Sequence, residues 1–159
     1  MLVWCMACQH GRILDRESIV EANKELYYRW LDMWNGQLSI AQDIIAPGCI
    51  VHQAPFGAGE PPEFRGPDGI ALMVRMGRAP FDDIRFELEV GPIVEGDKIT
   101  ARWCASGRYV GGLPSATVPL GTPVTFCGMD ICRVEDGRFV EYWVSSDGAH
   151  LMAQLGMMP

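Results

Sequence analysis

The feature that most constrains this chain is a change of hydrophobic period along it. In the first half apolar residues recur at helical spacing, whereas from Ile84 they recur at every second position. Ile84, Phe86, Leu88 and Val90 alternate with Arg85, Glu87 and Glu89, the pattern of a half-buried strand. Glu95-Gly96-Asp97 turns the chain, and Lys98 to Tyr109 and Val124 to Val134 read as two further strands. Asp136-Gly137 is a hairpin signal, leading into a fourth strand over Arg138 to Ser145.

Upstream, Ser18-Ile19-Val20-Glu21 reads as a capping box before an apolar-periodic run. Ile19, Leu26, Trp30 and Met33 predict a helix from about Ser18 to Trp34, stopped by Asn35-Gly36. A short helix over Ser39 to Ile45 ends at Pro47-Gly48, and Cys49 to His52 follows as a short strand. Ala54 to Gly66 is rich in Pro and Gly and reads as a long, lid-like loop; Pro67 then opens a helix over about Asp68 to Gly77. Asp147 to Leu155 predicts a terminal helical turn. Helices followed by a strand meander make an α+β plan. We expect a cone-shaped, strongly curved, mostly antiparallel sheet wrapped by three helices around an apolar cavity. One sheet face would line that cavity and the other would meet a second copy of the chain.

The 159 residues suit one domain, read as 18–159 behind an N-terminal tail over 1–17. With 48% hydrophobic and 21% charged residues the chain is built for a packed core. Lys plus Arg number 13 against 20 Asp plus Glu, a net charge of −7 with no basic run, which argues against nucleic acid or an anionic membrane surface as partner. No apolar stretch is long enough to span a bilayer, and the apolar opening Met1 to Cys8 lacks the basic region and cleavage site of a signal peptide. Of six cysteines, Cys49, Cys104, Cys127 and Cys132 sit in or beside apolar runs, where a free thiol packs as a small hydrophobe. Cys5-x-x-Cys8 has metal-ligand spacing, but only His10 lies near it, so no zinc knuckle is expected. Reduced thiols point to the cytoplasm.

Glu95-Gly96-Asp97-Lys98-Ile99, Arg102-Trp103, Gly107, Arg133-Val134-Glu135-Asp136-Gly137-Arg138, Glu141-Tyr142-Trp143, Asp147 and Gln154-Leu155-Gly156 occur in an order and spacing that resembles the SnoaL-like polyketide cyclases of the nuclear transport factor 2-like superfamily. The resemblance covers nearly all of Ser18 to Gly156. It implies an α+β cone, a homodimer joined through the sheet face, and a deep apolar pocket for a hydrophobic small molecule. Its members include cyclases, isomerases, dehydratases, epoxide hydrolases and non-catalytic binders, so the fold alone does not give the function. The leading expectation is a cofactor-free acid/base enzyme of the cyclase, isomerase or dehydratase type acting on a hydrophobic carbonyl compound in a deep apolar pocket, with no metal. The alternatives are a small-molecule binding protein and a dimeric interaction module.

Asp147 falls where the resemblance places a general acid/base carboxylate; the plainer reading is a helix N-cap. Asp130-Ile131-Cys132-Arg133-Val134 is similar to the D-x-x-R-F strand of ketosteroid isomerases, whose Asp is held protonated to bind an enolate oxygen. The plainer reading is an ion pair of Asp130 with Arg102 or Arg133. If the Asp136-Gly137 hairpin is regular, Asp130, Cys132, Trp143 and Asp147 share one face, which a single bulge would undo. His52 would orient substrate or relay a proton, or else sit on an edge strand half in solvent. Arg102 would hold Asp130 or a substrate carbonyl. Trp143, Cys132, Trp34 and Phe56 are expected to line the pocket, with Tyr28, Trp30 and Met73 as further apolar walls. Three departures narrow the chemistry. Ala54-Pro55-Phe56-Gly57 stands where ketosteroid isomerases carry Asp-Pro-x-Gly, so that base is missing. Arg102-Trp103-Cys104 replaces the R-x-D of limonene epoxide hydrolases, and Gly107-Arg108-Tyr109-Val110-Gly111 replaces the cyclases' G-T-H-x-G.

Overall fold

A computed structural model describes residues 16–53 and 63–158. Helix α1 (Arg16–Trp34), a 3-10 turn (Leu38–Ile40) and the short α2 (Ala41–Ile44) lead into β1 (Ile45–Gln53). Helix α3 (Gly66–Arg78) precedes β2 (Phe81–Glu95), β3 (Lys98–Tyr109), β4 (Pro123–Glu135), β5 (Arg138–Ser146) and α4 (Gly148–Gln154). The strands form one open sheet in the order β1-β5-β4-β3-β2, antiparallel throughout except for β1 beside β5. The α+β expectation therefore holds, with four helices among the described residues where three were expected to wrap the sheet. The tail and most of the Pro/Gly-rich loop, including Cys5, Cys8, His10 and Phe56, lie outside the described residues.

Two sequence signals translate directly. Asp136 and Gly137 both take positive φ, as the two-residue turn between β4 and β5 requires. Pro67 stands in the first turn of α3, where a missing N–H costs nothing. Ser18 lies inside α1 rather than at its cap. β2 is longer than the alternation predicts because irregular register between Asp82 and Arg85, Leu88 and Val90, and Val90 and Ile93 breaks the period of two.

The helices cover one face of the sheet, called inner here. Tyr27, Trp30 and Met33 of α1 and Ile70 and Val74 of α3 are buried with Phe86, Ile99, Ala101, Trp103, Cys132, Phe139 and Tyr142 of the strands. Asn35 fastens the end of α1 to β2, its side-chain amide donating to Phe86 O and accepting from Phe86 N, each at 2.9 Å. Tyr28 points outward and is exposed, which removes it from the predicted apolar walls. A smaller cluster of Tyr109, Val124 and Leu155 closes the other end of the sheet beneath α4.

Candidate functional site

Asp130 sits in the middle of β4, 1% exposed, on the inner face. Among the described residues no cation pairs with it. Its Oδ1 accepts from Trp103 Nε1 at 2.8 Å and from the Tyr142 hydroxyl at 2.9 Å. Its Oδ2 accepts from the Tyr27 hydroxyl at 2.9 Å and from Trp30 Nε1 at 3.1 Å. One acidic residue thus joins α1, β3, β4 and β5. Glycine makes this possible: Gly128 lies opposite Trp103, and a Cβ there would run into the indole ring and into Ser145 O. Burial pushes the Asp130 carboxyl above its ordinary range, and the four hydrogen bonds pull against that rise. Burial first, and then the neighbouring carboxylate, pushes the Tyr27 and Tyr142 hydroxyls upward too. The two expected ion pairs of Asp130 are not formed, because Arg102 and Arg133 point out of the opposite face.

The expectation that Asp130 and Asp147 share a cavity wall is overturned. Val134 does face Phe139, as the hairpin predicts, but Arg133 pairs with Glu141 and leaves Val140 as an extra residue in β5. Beyond this bulge Cys132 pairs with Tyr142, Ile131 with Trp143 and Asp130 with Val144. Phe139 and Tyr142, three residues apart, are therefore both buried. Cys132 and Asp130 face the helices, whereas Trp143 and Asp147 lie on the outer side. Asp147 is half-exposed, with its Oδ2 3.9 Å from Arg102 Nη2. It occupies the cap position of α4, yet no side-chain cap hydrogen bond forms; its carbonyl accepts from Leu151 N at 3.1 Å.

The remaining predicted residues divide between the two faces. His52 is exposed on the outer face, stacked on Trp143 with ring centroids 5.0 Å apart and hydrogen-bonded through Nε2 to Glu141 Oε1 at 2.9 Å. Glu141 also accepts from Arg133 Nε at 3.0 Å, and the bonds from His52 and Arg133 hold its carboxyl below the ordinary glutamate range. Arg102 donates to Glu89 and touches neither Asp130 nor the inner face. Trp34 packs on Phe86 at 5.0 Å and edge-on against Trp30 at 6.2 Å, at the rim of the inner core. Cys132 is fully enclosed beside Asp130, and burial raises its thiol.

Two features escape the sequence. The donors to Asp130 from α1 stand 103 and 100 residues away, so no spacing rule reaches them. Their aromatic character was legible, but only as core. The second is a disulfide between Cys104 and Cys127, directly opposed on β3 and β4. This corrects the expectation of free thiols at those two positions, whereas Cys49 and Cys132 are free and buried. The register that pairs them left no signal in the sequence, because the connection over residues 110–122 has no turn of fixed length.

A family model described as SnoaL-like polyketide cyclase matches residues 24–155. TsrD from Streptomyces laurentii is 28% identical with a TM-score of 0.71, over 91% of this chain and 99% of that one. IdmH from Streptomyces antibioticus is 24% identical with a TM-score of 0.69, over 83% and 96%. A SnoaL-like polyketide cyclase from Agrobacterium tumefaciens is 23% identical with a TM-score of 0.65, over 85% and 98%. No curated protein matches the chain. No helix among the described residues is long and apolar enough to cross a membrane.

Proposed function

Because the chain belongs to the SnoaL-like polyketide cyclase family, we propose that it is a cofactor-free acid/base enzyme of the cyclase or isomerase type, acting on a hydrophobic carbonyl compound with Asp130 as its proton store. One observation carries this reading. Each Asp130 oxygen accepts from one indole N–H, which only donates, and from one tyrosine hydroxyl, which both donates and accepts. The carboxyl takes up a proton on either oxygen by turning one hydroxyl around, with both indole bonds intact. Tyr27 and Tyr142 are then the groups through which a proton leaves or enters. A carboxyl without a cation partner, in a site of low polarity, suits proton transfer beside a carbonyl near neutral pH.

The test is deuterium exchange beside the carbonyl, followed by NMR, with a panel of aryl 1,3-diketones and β-ketoesters in D2O. The wild type should accelerate exchange for at least one compound. Asp130→Asn should lose about a hundredfold or more, and Asp147→Asn should keep the wild-type rate. Full turnover by a folded Asp130→Asn variant would refute the reading. A second reading, a non-catalytic binder, has its own support. Tyr27 and Tyr142 are 0% and 1% exposed, so a guest reaches them only if α1 yields. It predicts ligand affinity unchanged in Asp130→Asn and no exchange in the wild type.

The proposed assembly is a homodimer through the outer face. Ile93, Met129 and Ile131 stand there half-exposed, with Trp143 in the same row as Ile131. Ile131→Lys should turn a sedimenting dimer into a monomer, and a wild-type monomer would end the idea. We place the protein in the cytoplasm on the free thiols of Cys49 and Cys132, with the Cys104–Cys127 disulfide weighing against that placement.

A further inference from the structure

Glu89, Cys104 and Cys127 meet on the outer face, away from Asp130. Cys104 and Cys127 oppose each other across β3 and β4 with Cα atoms 4.0 Å apart. That is the close, non-hydrogen-bonded kind of antiparallel pair, whose side chains rise together from one face. Glu89 arrives through an irregularity. Leu88 pairs with Trp103 and Val90 with Arg102, which leaves Glu89 as the extra residue of a bulge. Its carboxylate turns over β3, where Cys104 Sγ stands 3.4 Å from Oε2 and Arg102 Nε donates to that same oxygen. One donor atom from each of the three residues lies within 4.8 Å of the others.

We propose that reduction of the Cys104–Cys127 disulfide opens a site for a thiophilic divalent cation, Zn2+ or Cd2+, held by both sulfurs and the Glu89 carboxylate with water in the fourth position. A dithiol supplies two electrons and two protons. The S–S bond breaks, each sulfur becomes a thiol, and the dithiol leaves as its own disulfide. The incoming cation displaces both thiol protons to solvent and forms two metal–sulfur bonds, of about 2.3 Å for Zn2+ and longer for the larger Cd2+. Arg102 occupies Oε2 and leaves Oε1 for the ion. Thiolate ligands select Zn2+ and Cd2+ over Mg2+ and Ca2+, which prefer oxygen. Disulfide and metal exclude each other, so the site is redox-gated: empty when oxidised, competent in a compartment that keeps thiols reduced.

The experiment titrates Cd2+ into the full chain carrying Cys5→Ser and Cys8→Ser, which removes the Cys-x-x-Cys pair of the tail and leaves only the buried Cys49 and Cys132 besides the proposed ligands. The chain is reduced with dithiothreitol and desalted without oxygen. A thiolate-to-metal charge-transfer band should grow to one Cd2+ per chain and be absent from the oxidised protein. Glu89→Gln, which leaves both thiols in place, should weaken binding about tenfold or more. Cys104→Ser with Cys127→Ser should abolish the band. No band in the reduced chain, or an undiminished band in the double cysteine variant, overturns the proposal. An unchanged affinity in Glu89→Gln overturns the three-ligand site.

Discussion

Two carboxylates of this molecule, Asp130 and Glu141, each accept several hydrogen bonds, yet they are driven in opposite directions. Asp130 is enclosed and accepts only from neutral indoles and phenols; the loss of water outweighs the bonds, and its carboxyl rises. Glu141 lies on the outer face, accepts from His52 and Arg133, and falls. Hydrogen bonds lower both carboxyls, so their number does not set the direction here; the depth of burial does. The same sheet therefore carries a raised carboxyl on one side and a lowered one on the other.

The sharpest way to break this contrast is Asp130→Asn. The amide nitrogen would face an indole N–H that has nowhere else to donate, costing about 2–3 kcal/mol in urea unfolding at neutral pH. The pH profile carries a second signature. A carboxyl raised in the folded state contributes its stability fully below the ordinary aspartate range and loses it as pH rises through the raised value. Wild-type stability should show that downward slope, and Asp130→Asn should lack it. A smaller effect is expected from Gly128→Ala, which pushes the Trp103 ring off β4 and away from Asp130. The cost should be about 1–3 kcal/mol, with a shift in tryptophan emission that a remote glycine such as Gly96 would not produce. The smallest belongs to Glu141→Gln. Glu141 is held low, so its contribution is present above the ordinary glutamate range and lost as pH falls through the lowered value. The variant should lower the neutral-pH midpoint slightly, and the gap to wild type should close as pH falls through the lowered value.

Much of the architecture was legible because it rests on local rules. β3 runs from Lys98 to Tyr109 as the alternation predicts, and Asp136-Gly137 adopts the turn its residues favour. The site was legible as a residue and not as an arrangement. Asp130 stands out in sequence as an acid in mid-strand, but its partners are set by how α1 crosses the sheet. Asp147 and Trp143 were assigned to the wrong face because one extra residue, Val140, leaves no mark in composition or period. Glu89 escaped for the same reason: its bulge re-aims it while the sequence still reads as regular alternation.

That extra residue in β5 has a consequence for how such a protein can change. Removing Val140 would restore regular pairing and leave Phe139 and Tyr142 on the inner face, because Arg133 already pairs with Glu141 and Cys132 with Tyr142 on either side of the bulge. Smoothing out the bulge with Val140 retained would instead slip the strand by one residue, turning Trp143 and Ser145 toward the helices and Tyr142 and Val144 outward. The bulge is thus what keeps the second half of β5 facing the helices with its tyrosine rather than its tryptophan.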